Sequence, residues 1–272
     1  MNHCARGPLL SADEQAELAR AVHALEHASF AVRLAELAGQ PVRRLFRASS
    51  FANRRVNRLV EVGIMRCLDV AIGSMDGEVP DKTPSAWVPR AIAGLTGGLG
   101  GLFGVLALPV ELPLTTMIML RSIAEIAQSY GEDLNCLQGR LACVEVFALG
   151  GQGAQGGQSP TYYATRATLA KLTSDVANST LKQGTARATS TVTAGVAATI
   201  SARFGPAMAE RVVATAVPLV GLLGGATVNM LFMEHYQRLA HGHFVIRRLE
   251  RRYGGAEIAA TYARIAATAR KS

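Results

Sequence analysis

The strongest constraint on the fold is a glycine-rich apolar run, GGLGGLFGVLALPVELPLTTMIMLR, which extends from Gly97 to Arg121 and carries one internal charge, Glu111. A second run, Val212–Met233, carries no charge. Each is long enough to cross a bilayer, which takes about 20 apolar residues in a helix. Both are interrupted by proline and glycine, and a broken backbone within lipid must be sheltered by other protein segments. The runs therefore predict buried central segments wrapped by amphipathic helices, with membrane insertion of one or both as the alternative.

Helices dominate the expected fold, because no segment shows the alternation of apolar and polar residues that is typical of a strand. Hydrophobic residues make up 49% of the chain but aromatic residues only 6%, so the small side chains of closely packed helices are abundant. The chain predicts an all-α protein, a single helical bundle of about eight to ten helices with the two interrupted apolar segments at its centre. The expected division is a flexible N-terminus over residues 1–10, a helical domain over residues 11–254 and a helical C-terminal tail over residues 255–272.

Local signals place several helix ends. Ser11 and Glu14 form a capping-box pattern that starts a helix extending to about Ala38. The two prolines of the segment LPVELP predict a break in the first apolar run, followed by a new helix over about Leu114–Tyr130. Further helices are expected over about Val42–Ile72, over Leu137–Leu149, over residues 161–183 and in a segment that ends at Gly205.

Four polar residues near these prolines predict a ligand pocket inside the apolar bundle. A charge in apolar surroundings must be paired, hydrogen-bonded or neutralised. Arg121 and Glu125 are one helical turn apart and can form an ion pair, while Glu111 and Thr115 lie near the expected start of the same helix. The predicted pocket binds an ion or a lipid head group. The alternative is a purely structural network of ion pairs and helix caps.

Histidines and carboxylates predict a divalent metal site as a second alternative. The candidate ligands are Glu145, Glu234, His235 and His243, and such side chains suit zinc, manganese or iron. No HExxH pattern is present, and Gly242 is expected to interrupt the helix between the last two histidines. Such a site predicts a metal-dependent hydrolase; otherwise the histidines belong to the core or to an interface.

The chain is basic, with a formal net charge of +8 and a pI of about 9.7, which favours anionic partners. Two segments carry arginines on amphipathic helices, an arrangement that suits an anionic lipid surface; the alternative is a solvated helix face. Nucleic acid is not an expected partner, because no helix-turn-helix, RNP or zinc-finger pattern occurs. The predicted surface contacts are Arg43, Arg44, Arg47, Arg54, Arg55, Arg58, Arg247, Arg248 and Arg251.

The cysteines and the N-terminus indicate a compartment. Cys4, Cys67, Cys136 and Cys143 form no CxxC pair, and free thiols are expected in a reducing environment. The N-terminal residues lack the apolar segment of a signal peptide. These features predict a cytoplasmic protein that is peripheral to the inner membrane, or integral to it if an apolar run inserts. A bound lipid in the apolar core is the expected ligand; the oligomeric state is not predicted.

Four segments follow one another in a characteristic order: GGLGGLFGVLALPVELPLTTMIMLRSIAEIAQSYGEDL, LACVEVFALGG, YYATRATLAK and AVPLVGLLGGATVNMLFMEHYQRLAHGHFVIRRLERRYG. In order and spacing they resemble the bacterial EcsC protein family, over about Leu10–Gly254. Glu234 and Tyr236 depart mildly from the family pattern and keep the acid and the aromatic ring. The resemblance implies a helical, membrane-associated protein. Because the family is named for a gene beside an ABC-transporter pair, it also implies regulation of a membrane transporter complex or an envelope process, with no defined reaction.

Overall fold

The computed structural model describes residues 10–26, 56, 58–67, 108–150, 162–183, 186–216 and 225–269. Every regular element in these ranges is an α-helix, which confirms the predicted all-α fold. Residues 97–107 and 217–224 lie outside these ranges, so the apolar runs are described only in part. The helices in chain order are α1 Ala12–Glu26, α2 over residues 58–67, α3 Leu108–Ser129, α4 Leu137–Leu149, α5 Tyr162–Gln183, α6 Ala186–Ala216, α7 Gly225–Tyr253 and α8 Gly255–Ala269.

The predicted capping box starts α1. The backbone N–H of Glu14 donates to Ser11 Oγ at 3.2 Å, and the backbone N–H of Ser11 donates to Glu14 Oε2 at 2.9 Å. These reciprocal bonds satisfy two donors that the first turn of a helix otherwise leaves unpaired. The helix is described as far as Glu26; the predicted extension to Ala38 lies outside the described residues.

The predicted break at LPVELP is wrong, because α3 begins at Leu108 and continues through Pro113. Pro109 lies in the first turn, where a backbone N–H has no partner within the helix in any case. Pro113 lies in the second turn, so its missing N–H costs one intrahelical bond, to the carbonyl of Pro109. Leu112 and Met119 are fully buried. Burial of this helix face outweighs a proline cost of about 3 kcal/mol.

Two further predicted interruptions are also wrong. Helix α6 passes through Gly205 and Pro206, and the carbonyl that Pro206 leaves without a donor belongs to the exposed Ala202, where water can reach it. Helix α7 passes through Gly242. A Cβ atom at Gly242 would lie 3.2 Å from Leu25 Cγ and 3.3 Å from the carbonyl oxygen of Ala21. This glycine therefore permits a close crossing of α1 and α7.

Helix α7 lies at the centre of the bundle, in contact with α1, α3, α4, α6 and α8. Four aromatic rings from α4, α6 and α7 pack together at its middle, with centroid separations from 4.8 to 6.2 Å: Phe147, Phe204, Phe232 and Tyr236. Each ring is at most 1% exposed. Because buried aromatic side chains contribute about 1.5–3 kcal/mol each and pair in tilted geometries, this cluster is a major part of the core.

Helices α1 and α8 close the bundle over α7. Helix α1 buries Leu18, Ala21, Val22 and Leu25, whose spacing places them on one face. Its acidic residues reach the other two helices: Tyr253 Oη donates to Glu14 at 2.7 Å, and Tyr262 Oη donates to Glu26 at 2.7 Å. The segment predicted as a C-terminal tail therefore packs into the core through α8, which buries Ile258 and Tyr262.

Among the helices in the described ranges, none has both the length and the apolar character that a membrane crossing demands.

Candidate ligand-binding cleft

A cleft of about 810 Å³ opens between α4, α5, α7 and the start of α8. This volume falls within the range of small-molecule sites, about 300–1,000 Å³. Helical spacing places residues of each helix on its wall: Leu137, Leu141 and Glu145 recur every fourth residue of α4. The apolar lining residues are Leu137, Leu141, Ala167, Ala170 and Ala259. The polar lining residues are Gln138, Glu145, Tyr163, Arg166, Ser174, Arg247 and Glu250.

An ion pair between α5 and α7 forms one polar edge of the cleft. Arg166 Nη1 donates to both carboxylate oxygens of Glu250, at 2.8 and 2.9 Å, and Tyr163 Oη donates to Glu250 Oε1 at 2.9 Å. The guanidinium carbon of Arg166 lies 5.4 and 5.8 Å from the ring centroids of Tyr162 and Tyr163. Burial, and then the charge of Glu250 and its hydrogen bond, raise the pKa of Tyr163 well above its usual range. The edge is therefore a charge-assisted pair that joins α5 to α7.

A second ion pair joins α7 to the turn between α3 and α4. Arg247 Nε and Nη2 donate to the two oxygens of Glu132 at 2.8 and 3.0 Å, and Arg251 donates to the same carboxylate. The Glu132 side chain is only 5% exposed. Burial opposes its ionisation, but the hydrogen bonds and charges of both arginines outweigh that effect and hold the pKa of Glu132 below its usual value. One carboxylate thus serves two guanidinium groups.

Glu145 lies on the cleft wall without such a partner. None of the described residues donates a hydrogen bond to its partly buried carboxyl group or forms an ion pair with it. Burial raises the pKa of Glu145, and the nearby charges of Arg166 and Arg247 offset this only in part. A carboxyl group with a raised pKa, in a cleft and near two guanidinium groups, is a candidate functional group.

A buried aromatic cluster lies behind the cleft. Tyr162 Oη and His243 Nδ1 are 3.0 Å apart, and the ring of Tyr262 stacks on that of Tyr162 at a centroid distance of 5.4 Å. Burial, and then the charges of Arg166 and Arg247, lower the pKa of His243 well below 6.5. His243 is therefore neutral near pH 7. The cluster supports Tyr163 and Arg166, which follow Tyr162 on α5.

The residues of the pocket predicted around the prolines lie along α3 with different exposure. Arg121 Nε and Glu125 Oε1 form the predicted ion pair at 3.1 Å, but both side chains are at least half exposed. Thr115 is 8% exposed and belongs to the interior. The side chain of Glu111 lies outside the described part of the chain. The ligand pocket around the prolines stays a prediction.

The four predicted metal ligands are also dispersed. Glu145 lines the cleft, His243 lies behind it, His235 is buried elsewhere along α7 and Glu234 is exposed. In the described ranges, no three His, Cys, Asp or Glu side chains converge on a point where a metal ion could bind.

The two arginine segments predicted to contact a surface differ in how much of them the structure describes and in whether their arginines form ion pairs. Arg43, Arg44, Arg47, Arg54 and Arg55 lie outside the described residues, and Arg58 is exposed on α2. Three arginines of α7 bind carboxylates of other helices or turns, and two of them are still 40% and 42% exposed. Arg247 and Arg251 pair with Glu132, and Arg248 pairs with Glu17. The α7 segment appears basic in the sequence because its acidic partners are far away along the chain.

Sequence reasoning missed the polar edge of the cleft that α5 and α7 form. Tyr163, Arg166 and Glu250 were not among the predicted site residues. A signal was present: Tyr163 and Arg166 are three residues apart and so share one face of a polar helix, and Glu250 is the one acid within RRLERR. Nothing in the sequence pairs these two segments, because the atoms that meet belong to residues 84 positions apart.

A family model described as the EcsC protein family matches residues 57–249. No curated protein and no solved structure matches the chain. The match includes Glu145, Tyr163, Arg166 and Arg247, whereas α1 and α8 lie outside it.

Proposed function

The chain belongs to the EcsC protein family, and from that premise we propose that it binds a single-chain amphiphile, a molecule with an alkyl chain and a polar head, in the cleft between α4, α5, α7 and α8. The observation that supports the proposal is the composition of the cleft. Leu137, Leu141 and three alanines provide an apolar wall, and charged groups of α4, α5 and α7 line the same space. A largely apolar cleft with a few convergent polar groups is the usual form of a small-molecule site.

The proposal includes a location. An amphiphile of this kind is concentrated in membranes, and the protein acts as a peripheral protein that meets an anionic membrane surface. Arg247, Arg248 and Arg251 of α7 are paired with carboxylates within the protein, so this contact is assigned to the basic segment from Arg43 to Arg66, of which Arg58 and Arg66 are described and exposed. No contact in the described ranges points to a transporter, and the proposal does not include one.

The chain-length dependence of binding tests the proposal directly. Burying one methylene group contributes about 0.8 kcal/mol, which is roughly a fourfold change in Kd. Titration calorimetry with octyl and decyl maltosides, each below its critical micelle concentration, is expected to give one site per chain, with the decyl compound binding more than tenfold tighter, about fourfold per methylene.

A matched pair of variants locates the site. Ala167 and Ala164 are both exposed alanines on α5, but only Ala167 lines the cleft. Ala167→Trp fills the cleft and is expected to abolish binding of decyl maltoside, whereas Ala164→Trp is expected to leave it unchanged. Equal binding by the two variants, or a Kd independent of chain length, contradicts the proposal.

Fractionation tests the membrane contact separately. We expect the untagged protein, in lysates without detergent, to sediment with membranes and to be released by high salt, because the contact depends on arginines. Protein that stays in the supernatant, or that resists both salt and alkaline carbonate, contradicts a peripheral contact. The metal-dependent hydrolase stays a prediction of the sequence, because no described cluster favours it over ligand binding.

A further inference from the structure

We infer that the polar end of the cleft takes a monoanionic head group on the free edges of Arg166 and Arg247, and that Glu145 takes up a proton from solvent as the anion binds. The inference rests on the proposed function and adds the charge of the ligand and a proton linkage. It is carried by the hydrogen bonds that the two arginines leave unused, by the balance of charges around the cleft and by the unpaired carboxyl group of Glu145.

The two guanidinium groups have N–H donors to spare. Arg166 uses only Nη1 in its bonds to Glu250, and Arg247 uses Nε and Nη2 in its bonds to Glu132. In the part of the chain that the structure describes, Nε and Nη2 of Arg166 and Nη1 of Arg247 have no acceptor. The side chains are 20% and 14% exposed and both line the cleft. Spare guanidinium N–H groups in a partly desolvated cleft are strong donors to an anion.

The charges around the cleft balance only when Glu145 is ionised. Three guanidinium groups, of Arg166, Arg247 and Arg251, are paired with two carboxylates, Glu250 and Glu132. A protonated Glu145 therefore leaves one unbalanced positive charge, which matches a monoanion. An ionised Glu145 removes that charge and repels the anion. A protonated carboxyl group can also donate a hydrogen bond to the head group.

The other titratable groups that face Glu145 keep their protonation state near pH 7. From α5 these are Tyr162 and Tyr163, whose pKa values burial raises, and Arg166, whose pKa is raised by the neighbouring Tyr162 and Glu250 against the effect of burial. From α7 they are His243, whose pKa burial lowers well below 6.5, and Arg247, whose pKa is raised by its bonds to Glu132. Glu250 of the same helix forms the ion pair with Arg166. Glu132 approaches from the turn before α4 with a lowered pKa, and burial raises the pKa of Cys143, on α4 itself, to about 12. Within the described residues, α3 and α6 contribute no charge to the electrostatics of Glu145.

The direction of the pH dependence follows from these charges. A bound anion raises the pKa of Glu145 further, because it disfavours a second negative charge nearby. Affinity for the anion is then highest where free Glu145 is already protonated, and it falls as pH rises through the pKa of Glu145. The pH range over which the affinity falls lies above 4.5, because burial raises the pKa of Glu145 from that value. The affinity for a cationic head group is expected to rise as pH increases.

Three compounds that share a decyl chain and differ in the charge of the head group test the inference. Decanesulfonate is a monoanion at every pH used, decyltrimethylammonium is a cation and decyl maltoside is neutral. Between about pH 5 and about pH 9 we expect calorimetry to show a roughly tenfold loss of affinity for decanesulfonate. This loss corresponds to a rise of about one unit in the pKa of Glu145 when the anion binds. In buffers with different ionisation enthalpies, its binding is expected to take up a proton. Decanoate and decyl methyl phosphate then distinguish a carboxylate head from a phosphodiester head.

The variant Glu145→Gln keeps the size of the side chain and removes its charge. At about pH 8 we expect it to bind decanesulfonate roughly tenfold tighter than the wild type, without pH dependence and without proton uptake. The affinity for decanesulfonate is compared with that for decyl maltoside in the same protein, because a change in the shape of the cleft affects both compounds. Ala164→Trp, which lies outside the cleft, is expected to leave both affinities unchanged. A merely structural role of Glu145 does not produce an increase in anion affinity.

The outcomes separate the inference from the proposed function. If decyl maltoside binds but decanesulfonate binds no tighter at low pH, or if Glu145→Gln weakens the anion, the inference is wrong and the proposed function stands. Tighter binding of decyltrimethylammonium than of decanesulfonate overturns the inference in the same way. If none of the three compounds binds, both fail.

Discussion

Replacing Glu132 with glutamine is expected to destabilise the protein strongly for a single conservative change. The carboxylate of Glu132 accepts two hydrogen bonds from Arg247 and another from Arg251. Glutamine has nearly the same shape, but one of its two terminal atoms is an NH₂ group that cannot accept a hydrogen bond. The variant therefore removes the charge pairing and directs a donor at a guanidinium group.

The size of the effect depends on how much of the broken pair can be hydrated again. Hydrogen bonds to charged groups contribute about 1.5–3 kcal/mol each, and removing one partner of a fully buried ion pair costs about 3–5 kcal/mol. The Arg247 side chain is 14% exposed and cannot regain full hydration, whereas that of Arg251 is 42% exposed and can regain much of it. We therefore expect a loss of about 2–4 kcal/mol in the free energy of unfolding.

Urea unfolding followed by far-UV circular dichroism measures the loss, and Glu125→Gln provides the matched control. Glu125 forms the exposed pair with Arg121, with side chains 64% and 50% exposed, and such pairs contribute less than about 1 kcal/mol. Near pH 7 the control is expected to lose at most about 0.5 kcal/mol. A Glu132→Gln variant as stable as this control would refute the reasoning.

The pH dependence gives a second check of the same interaction. Because the fold lowers the pKa of Glu132 below 4.5, its contribution is fully present above that value and is lost as pH falls through the pKa in the folded protein. The difference in stability between the wild type and Glu132→Gln is therefore expected to shrink in acid. A difference that stays constant from neutral pH into acid contradicts an electrostatic origin.

Three further outcomes follow from the packing of the core. A Cβ at Gly150 would lie 2.4–2.5 Å from ring atoms of the buried Tyr236, so in thermal melts Gly150→Ala is expected to lose about 1–3 kcal/mol. At the control position Gly195 an added Cβ has no atom within 4 Å, so Gly195→Ala is expected to raise the free energy of unfolding by about 0.5–1 kcal/mol. If both variants are more stable than the wild type, the close contact between Gly150 and Tyr236 is contradicted. Because burial lowers the pKa of His243 well below 6.5, the unfolding free energy is expected to fall as pH drops below 6.5, and His243→Gln to reduce that slope. Finally, a thiol reagent is expected to label the exposed Cys136 in the folded protein, and to reach the two buried thiols, whose pKa burial raises to about 12, only on unfolding.

The helices were predictable where their determinants are close together in the sequence. The capping box at Ser11 and Glu14 was confirmed because both partners lie within one turn. The helix Leu137–Leu149 was predicted with its observed ends. The breaks assigned to Pro113 and Gly205 were wrong, because propensity sets only a local cost and burial of the flanking residues outweighed it.

The candidate cleft was predictable only in fragments. Glu145 was selected as a metal ligand and Arg247 as a surface contact, whereas in the structure both line the same cleft. The sequence does not reveal which arginines are already paired, since a charge pattern along one helix contains no information about carboxylates on other helices. For that reason the α7 arginines were assigned to a lipid surface although Glu17 and Glu132 bind them.

The sequence by itself determined the all-α class, the family and the positions of several helix ends. These depend on hydrogen bonds within one turn of the chain and on patterns of neighbouring residues. Only the tertiary structure decided which prolines a helix could include, which charges were neutralised and where a cleft opened. Those features depend on contacts such as Arg166 with Glu250 and Arg247 with Glu132, which join residues 84 and 115 positions apart, and no local free energy specifies such pairs.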